Sequence, residues 1–260
     1  MSRLEDNIYP DPNQEYDTGN IQIATWNTTT DVNQFCNKYN HDNKYNGLKL
    51  GQRIQINDGT YNKSWIIAGF DVESNKIASD GKSYDNGYGI ALVPQTQLFE
   101  AQWHTSYTTN IPYINSSMHT STLPTIANNL KKVLGNHLIN RNVLLSSSVS
   151  TGKEVGSTAY TWTTAYCTLM SIGQMTGKFA SYNNKYDDGE ANYKLPLFDY
   201  MEYKTGYAFW SRGVWGRSVN GRYFAWAVGS DGYIGSTLLD NGYELGVGWT
   251  CWARPLIYIR

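Results

Sequence analysis

Histidines, cysteines and clustered carboxylates are the residues of this chain that could do chemistry, and metal binding is the first chemistry to consider. The four histidines, His41, His104, His119 and His137, lie far apart in sequence. None of them belongs to an HExxH motif or a Cys/His zinc pattern, and the three cysteines form no CxxC pair. Only side chains that the fold brings together could therefore form a transition-metal site.

One acidic run contains hard oxygen ligands of the kind that calcium prefers. Asp187, Asp188 and Glu190 lie close together within the stretch NNKYDDGEANY. The run does not match the EF-hand pattern, because Tyr186 occupies a ligand position and Leu195 replaces the closing glutamate. The run is interpreted either as a calcium candidate or as a solvated acidic loop.

Motifs for phosphate binding and nucleophilic catalysis are incomplete. The GKS tripeptide that begins at Gly81 is similar to the end of a phosphate-binding loop, but Lys76 stands where the loop needs its first glycine. The chain contains no GxSxG elbow of a serine hydrolase. Cys167 lies in an apolar strand pattern, which is typical of an inert core thiol. We therefore predict a non-enzymatic protein without a cofactor.

The polar residues are mostly Asn, Ser, Thr, Gly and Tyr, and the aromatic residues include 21 Tyr and 9 Trp. This mixture favours strands and loops over long helices. It is typical of combining surfaces, where Tyr and Trp provide rigid contact area, but also of a β-rich protein without such a surface. The formal net charge of −1, without a basic stripe, argues against nucleic acid as a partner.

Residues 1–20 contain Pro10, Pro12 and several acids without a periodic apolar pattern, which predicts a flexible arm. We see no apolar signal-peptide core there and no run long enough to span a bilayer. These features predict a soluble protein made in the cytoplasm, with reduced and buried thiols at Cys36, Cys167 and Cys251.

Periodicity and turn residues predict the elements that would position any site. A first helix is expected over about residues 30–39, with Thr30 as its N-cap. The Asp58-Gly59 turn signal, followed by the β-branched run from Trp65 to Val72, predicts a hairpin. A further buried strand is expected to end at Pro94.

The clearest helix pattern is TLPTIANNLKKVLGNHL, in which Gly135 suits the C-terminal cap. The stretch TAYTWTTAYCTLMSIGQMTG is interpreted as a strand that runs into a short helix, and CWARPLIYI as one closing strand. We predict one compact α+β domain over residues 21–260, in which residues of about 21–100 form a β-rich N-terminal subdomain.

Four segments of the C-terminal half occur in a recognisable order: KLPLFDY, FWSRG, YFAWAVGSDG and WARPLIYI. This order resembles a domain at the ends of bacteriophage and prophage proteins, in which a W-[LTS]-R segment precedes an alternating strand and GVRP begins the last strand. The upstream stretches NSSMHTSTLPTIANNLKKVLGNHLINRNVLLSSSVS and TTAYCTLMSIGQMTG also look like such sequences, so the resemblance runs from about residue 50 to the end. The family, largely of unknown function, is similar to the C-type-lectin-like fold of phage tropism determinants and of the variable proteins of diversity-generating retroelements.

The chain departs from that family at GVRP, where it has Cys251-Trp252-Ala253-Arg254-Pro255. The EPN, QPD and WND calcium motifs of true C-type lectins are also absent, so calcium-dependent sugar binding does not carry over. The resemblance implies a C-type-lectin-like domain over about residues 101–260, with short twisted antiparallel strands, two or three helices and long Gly/Asn/Tyr-rich loops.

The resemblance divides the late aromatic and basic residues into two groups. Those that match the family framework are expected in the core, with the two arginines as paired structural residues: Trp210, Arg212, Phe224, Trp226, Val228 and Arg254. The others are predicted to form the combining face, with the first four in a Gly-punctuated loop: Trp215, Arg217, Asn220, Arg222, Tyr223, Asn241, Tyr243 and Trp249. Packing within the domain and contact with a neighbouring subunit stay open as alternatives for this second group.

These expectations lead to a functional hypothesis: a bacteriophage virion protein, such as a head fibre, tail fibre or decoration protein, that adheres to a bacterial surface glycan or protein. It would be assembled in the host cytoplasm, anchored to other virion proteins through the N-terminal arm, and homotrimeric by analogy with fibres. The alternative is a purely structural capsid or baseplate component whose aromatic loops are buried between subunits. A glycan depolymerase is a third hypothesis, which would need two carboxyl groups about 5–9.5 Å apart in a sugar-sized groove.

Overall fold

The computed structural model describes residues 11–17, 21–78, 80–105, 111–149, 157–177, 193–202, 209–217, 223–228 and 250–260. Helices and strands both occur, so the predicted α+β class is confirmed. The helices are α1 (Thr29–Lys38), α2 (Leu123–Leu134) and α3 (Ile172–Thr176). The strands are β1 (Gln22–Trp26), β2 (Arg53–Asn57), β3 (Asn62–Phe70), β4 (Lys76–Ile77), β5 (Ser83–Tyr84), β6 (Ile90–Pro94), β7 (Phe99–Gln102), β8 (Arg141–Val149), β9 (Ser157–Ala165), β10 (Cys167–Leu169), β11 (Phe209–Arg217), β12 (Tyr223–Val228), β13 (Thr250–Ala253) and β14 (Pro255–Ile259).

The larger sheet has six strands in the order β1-β2-β3-β6-β14-β10. The predicted hairpin is confirmed, because β2 and β3 pair antiparallel on either side of the Asp58-Gly59 turn. Asp58 stabilises this turn by accepting hydrogen bonds from the backbone N–H groups of Thr60, at 2.8 Å, and Tyr61, at 2.6 Å. The prediction that the next strand ends at Pro94 is also confirmed by β6.

The C-terminal strand β14 lies inside this sheet, between β6 and β10. Its close approach to the start of β6 requires a glycine, because a Cβ atom on Gly89 would lie 2.6 Å from the carbonyl oxygen of Ile259. Strands from both sides of residue 100 therefore share one sheet and one apolar core. Four strands of this sheet come from residues 21–100 and two come from later in the chain, while the predicted N-terminal subdomain stays a prediction.

The smaller sheet has four strands in the order β12-β11-β13-β7. The predicted closing strand is corrected here, because CWARPLIYI forms two strands, β13 in the smaller sheet and β14 in the larger one. The chain changes sheets at Arg254, which is fully buried. Its guanidinium lies over the rings of Phe198 and Phe209, 5.5 and 5.9 Å from their centroids, and its Nε donates to Pro94 O at 2.9 Å.

Two predicted core positions besides Arg254 have described burial. Arg212 is 1% exposed and Val228 is fully buried, so their assignment to the core is confirmed. The side chains of Trp210, Phe224 and Trp226 lie outside the described part of the structure. Burial lowers the pKa of Arg254 to about 10, which still leaves the guanidinium charged at neutral pH.

Helix α1 begins at Thr29, two residues earlier than the predicted N-cap implies, because its N-cap is Thr28 rather than Thr30. The reason is Asp31, whose Oδ2 accepts from the backbone N–H groups of Asn27 and Thr28, both at 2.9 Å, in a capping box. Helix α2 confirms the prediction, with its apolar face buried and Gly135 at φ +57° just after its last residue. The stretch predicted as one strand and a short helix contains two strands, because β9 pairs with β8 whereas β10 pairs with β14 in the larger sheet.

A buried ion pair connects the segment after β3 to the start of β8. The guanidinium Nη1 of Arg141 donates to Oε1 of Glu73 at 2.6 Å, and the two side chains are 0% and 1% exposed. Glu73 also accepts from the Tyr193 hydroxyl at 2.7 Å and from Asn86 Nδ2 at 2.8 Å. Nη2 of Arg141 also donates to Thr168 Oγ1 at 2.9 Å. These buried polar groups, which water does not reach, therefore find hydrogen-bond partners in one another.

Part of the predicted arm lies against the domain. Asn13 exchanges two hydrogen bonds with the backbone of Phe70, and Tyr16 stacks on Tyr200 with ring centroids 5.3 Å apart. Residues 11–17 are thus held by the fold, while the anchoring role of residues 1–20 stays a prediction. Within the described part of the chain, no helix has the length and apolar character needed to cross a membrane.

Candidate ligand-binding site

A turn with left-handed backbone follows α1 and forms one wall of the candidate site. Lys44, Tyr45 and Asn46 have φ values of +52°, +57° and +43°, and Gly47 continues the run at +77°. Each left-handed residue other than glycine costs about 1–2 kcal/mol. Because such strain persists only where the surroundings impose it, the turn marks a position at which function should be tested.

Tyr45 holds this turn in place. Its ring is 2% exposed and packs against Phe70, with the two ring centroids 4.7 Å apart. Its backbone N–H donates to Asn40 O at 2.8 Å, and its hydroxyl donates to the carboxylate of Asp71. Burial, and then the hydrogen bond to Asp71, raise the pKa of Tyr45 well above its usual range, so the phenol remains a donor.

The Asp71 carboxylate accepts three hydrogen bonds at the end of β3. Oδ1 accepts from Tyr45 and from the Gly89 N–H at 2.9 Å, and Oδ2 accepts from His41 Nδ1 at 2.7 Å. Since an ionised carboxylate can only accept, Nδ1 carries the proton in this pair. Asp71 itself has φ +55°. The hydrogen bonds of Asp71 therefore connect the end of β3 with Tyr45 in the left-handed turn and with Gly89, the residue before β6.

His41 lies between aromatic rings. It stacks on Tyr88 with ring centroids 3.4 Å apart and an interplanar angle of 6°, and Tyr45 meets it edge-on at 6.4 Å. Within the described residues, its Nε2 has no hydrogen-bond partner. Because Asp71 and Tyr88 hold the ring, Nε2 is available to a polar ligand in a defined orientation.

Two cavities share His41 and Tyr45 on their walls. The first, of about 520 Å³, has a largely polar rim that includes Lys44, Lys76 and Lys194. The second, of about 310 Å³, is lined by more aromatic and apolar residues, among them Tyr39 and Tyr88. Both volumes are in the range of small-molecule binding sites. We define the lysine cavity as the first of these and the tyrosine cavity as the second.

This arrangement offers a ligand an oriented imidazole for hydrogen bonding or proton exchange. A histidine oriented by a carboxylate could exchange a proton with a ligand, but catalysis by addition would also need a nucleophile beside it. Cys36 lines the tyrosine cavity, yet burial raises the pKa of its thiol to about 12. That thiol is therefore protonated at neutral pH and a poor nucleophile.

The two cysteines whose side chains the structure describes should resist alkylation in the folded protein. Cys36 and Cys167 are free and buried, and burial raises the pKa of each thiol to about 12. Relative to a thiol with its ordinary pKa of about 9, the thiolate fraction at pH 8 is lower by about 1000-fold. We expect peptide mapping after iodoacetamide treatment to find both residues unmodified in native protein and modified in urea. Rapid native labelling of Cys167 would contradict its assignment as an inert core thiol.

The structure places some of the residues that the resemblance assigned to the combining face. Trp215 and Arg217 lie in β11 and Tyr223 begins β12, so the prediction that Trp215 and Arg217 belong to a loop is wrong. The side chains of these three residues lie outside the described part. The remaining predicted binding residues lie wholly outside the described residues: Asn220, Arg222, Asn241, Tyr243 and Trp249.

A β-bulge explains why Trp215 breaks the alternation expected of a strand. In the β11–β12 pair, Val214 is opposite Ala225 and Gly216 is opposite Phe224, so Trp215 is an additional residue on β11. Bulges of this kind bend a strand, re-aim side chains and are frequent at sheet edges and beside functional sites. Among the described strands, β12 of this pair lies at one edge of the smaller sheet.

The metal hypotheses have two different outcomes. The calcium candidates Asp187, Asp188 and Glu190 lie outside the described residues, so that prediction stays a prediction. Among the described residues, no group of three or more His, Cys, Asp or Glu side chains could hold a metal ion.

Sequence reasoning missed the site around His41. His41, Asp71 and Tyr88 are separated by 17 or more residues, and no local motif connects them. One available signal was the NKYNG stretch from Asn43 to Gly47, because Asn and Gly tolerate left-handed backbone. That signal predicts a turn but not the convergence of the three side chains.

The fold and the site together define an α+β protein with a bulged edge hairpin and a pair of cavities around an aspartate-oriented histidine. Comparison of the chain with models of protein families, with curated proteins and with solved structures finds no match.

Proposed function

We propose that this chain is a bacteriophage virion protein, a head fibre, tail fibre or decoration protein, that adheres to a bacterial surface glycan or protein. In this proposal its C-terminal part has the C-type-lectin-like fold, it is homotrimeric, and its N-terminal residues bind other virion proteins. The observation that carries the proposal is the division of the C-terminal segments into a buried framework and a bulged edge hairpin.

The framework supports the resemblance. Arg212, Val228 and Arg254 match the phage domain's pattern and are at most 1% exposed. Between Arg212 and Val228 the chain forms the β11–β12 hairpin, whose bulge is at Trp215. A buried framework that carries an aromatic segment in a bulged strand is suited to recognition, because Trp, Tyr and Arg dominate binding hot spots. The low net charge suits a neutral polymer whose sugar rings stack on aromatic side chains.

One observation favours the alternative of a purely structural capsid or baseplate component. Among the strands that the structure describes, β12 lies at one edge of the smaller sheet, and an edge strand can pair with a strand from a neighbouring subunit. In that case Trp215 and its neighbours would be buried between subunits. The two proposals differ in whether Trp215 remains accessible in the assembled particle.

Replacing Trp215 with alanine should weaken adhesion by about 30-fold or more. A hot-spot tryptophan contributes about 2 kcal/mol or more, and each 1.4 kcal/mol is a factor of ten in affinity. The measurement is saturable binding of the purified, labelled protein to envelopes of candidate host bacteria, repeated with a calcium chelator to test the acidic run.

The matched control is Tyr200→Ala, which removes an aromatic side chain that is 45% exposed and lies outside the hairpin. It should bind the envelopes as well as the unmodified protein does. If the unmodified protein binds no host envelope but still assembles onto particles, the adhesin proposal is overturned and the structural alternative is favoured.

A further inference from the structure

We infer that the lysine cavity binds an oxyanion carried on a saccharide, a carboxylate or a phosphate, and that the tyrosine cavity packs against the uncharged part of the same ligand. This site uses none of the residues on which the proposed function rests. Either proposal can therefore fail without the other.

The charges around the lysine cavity favour an anion. Lys44 and Lys76 form no ion pair with any residue that the structure describes, and Lys194 pairs at 2.7 Å with Asp199, whose side chain is 60% exposed. Two lysines without acidic partners on one rim attract an oxyanion, and partial enclosure strengthens that attraction.

The two aspartates on the same wall oppose this charge only in part. The Asp71 carboxylate accepts from His41, Tyr45 and the Gly89 N–H, so both of its oxygens already have donors within the protein. Asp11 accepts from the backbone N–H of Asn13 at 2.9 Å and is exposed to solvent, which screens it. The cavity lining therefore has three lysines against two aspartates, an excess of one formal positive charge.

The backbone at Lys44 supports a binding role. At φ +52° the backbone of Lys44 is more strained than that of a glycine would be. Backbone strain tends to be retained where the residue has a function. A strained lysine that lines a cavity is therefore consistent with a role of its charge in binding a ligand.

The tyrosine cavity identifies the class of molecule that carries the oxyanion. Tyr88 is 47% exposed, and its ring is held by the stack on His41. The C–H face of a sugar ring packs on an exposed aromatic ring, and its hydroxyls need polar partners such as His41 Nε2. Because both cavities share His41 and Tyr45, a single acidic or phosphorylated saccharide can contact both.

The test is titration of the full chain by calorimetry with glucuronic acid, glucose 6-phosphate, glucose and inorganic phosphate. We expect at least one of the two charged sugars to bind at least tenfold more tightly than glucose and inorganic phosphate do. Preference for glucuronic acid assigns a carboxylate, and preference for glucose 6-phosphate assigns a phosphate. Equal binding of inorganic phosphate and glucose 6-phosphate, without binding of glucuronic acid, would overturn the saccharide assignment.

Three variants separate this site from general charge effects. Lys44→Gly combined with Lys76→Gln should weaken binding of the charged sugar by at least tenfold, and Tyr88→Ala should weaken it several-fold. Lys82→Gln removes one positive charge, as each of the two lysine substitutions does alone, from a lysine that is 70% exposed, and it should leave the affinity unchanged. An equal loss in Lys82→Gln, or no binding of any charged sugar at millimolar concentration, would contradict the inference.

Lys44→Gly also controls for unfolding. Because glycine adopts the left-handed backbone of residue 44 without strain, this single variant should melt at or above the temperature of the unmodified protein. It should nevertheless bind the charged sugar more weakly. Envelope adhesion through the β11–β12 hairpin should be unchanged in it, which distinguishes failure of this inference from failure of the proposed function.

Discussion

Arg141→Met should lower the free energy of unfolding by about 3–5 kcal/mol, because it leaves the Glu73 carboxylate buried without its cation. Glu73 is 1% exposed, and the Nη1–Oε1 distance to Arg141 is 2.6 Å. The remaining donors, Tyr193 and Asn86, are neutral and cannot replace the guanidinium charge. Urea denaturation at neutral pH, analysed as a two-state transition, measures the effect.

The matched control is an exposed ion pair of similar geometry. Nζ of Lys49 lies 3.0 Å from Oε2 of Glu15, and the two side chains are 43% and 34% exposed. Lys49→Met should change the unfolding free energy by about 1 kcal/mol or less, because water screens the charges and solvates the partner that remains. The double variant Glu73→Gln/Arg141→Met should lose less than the sum of the single losses. Equal effects at the buried and exposed pairs would refute the assigned role of burial.

His119 should make folding stability depend on pH between about 6.5 and 4. Burial, and then the charge of Arg212, lower the pKa of this imidazole from its ordinary 6.5 to about 4. Below pH 6.5 the unfolded chain takes up a proton that the folded chain does not, so the stability present above 6.5 is lost as the pH falls toward 4. At about 1.4 kcal/mol per pH unit, the loss amounts to about 3 kcal/mol.

The variant His119→Gln removes this titration. Its unfolding free energy should differ from that of the unmodified protein by a constant between pH 7 and 8. Below pH 6.5 the difference should shift in favour of the variant by up to about 3 kcal/mol. Urea denaturation at several pH values measures both curves, and parallel curves down to pH 4 would show that His119 takes up its proton in the folded state as readily as in the unfolded one.

Local sequence patterns predicted the elements whose causes are themselves local. The Asp58-Gly59 turn identified the β2–β3 hairpin, and the apolar face that ends at Gly135 identified α2. The Thr28 cap was missed in favour of Thr30, although the Asp31 that completes the capping box was present in the sequence. Both threonines are suitable N-cap residues, but only Thr28 has an acidic residue three positions later, and that signal was overlooked.

Positions that depend on distant partners were harder to predict. The sequence placed Arg254 in the core through a family resemblance, but not the change of sheet at that residue, which depends on Phe198, Phe209 and Pro94 around its side chain. Trp215 was predicted in a loop because it broke a strand period, and the structure places it in a β-bulge. A bulge is defined by the register of the partner strand, which a single segment does not contain.

The sequence by itself determined the α+β class, the main helix and hairpin, and the burial of Cys36 and Cys167, because periodicity, turn residues and apolar neighbours act over a few residues. Only the tertiary structure decided that β14 completes the sheet begun by the first strands. It alone brought His41, Asp71 and Tyr88 together beside the two cavities. Contacts of this kind join residues from separate elements, and the packing of the whole core rather than any local preference holds them in place.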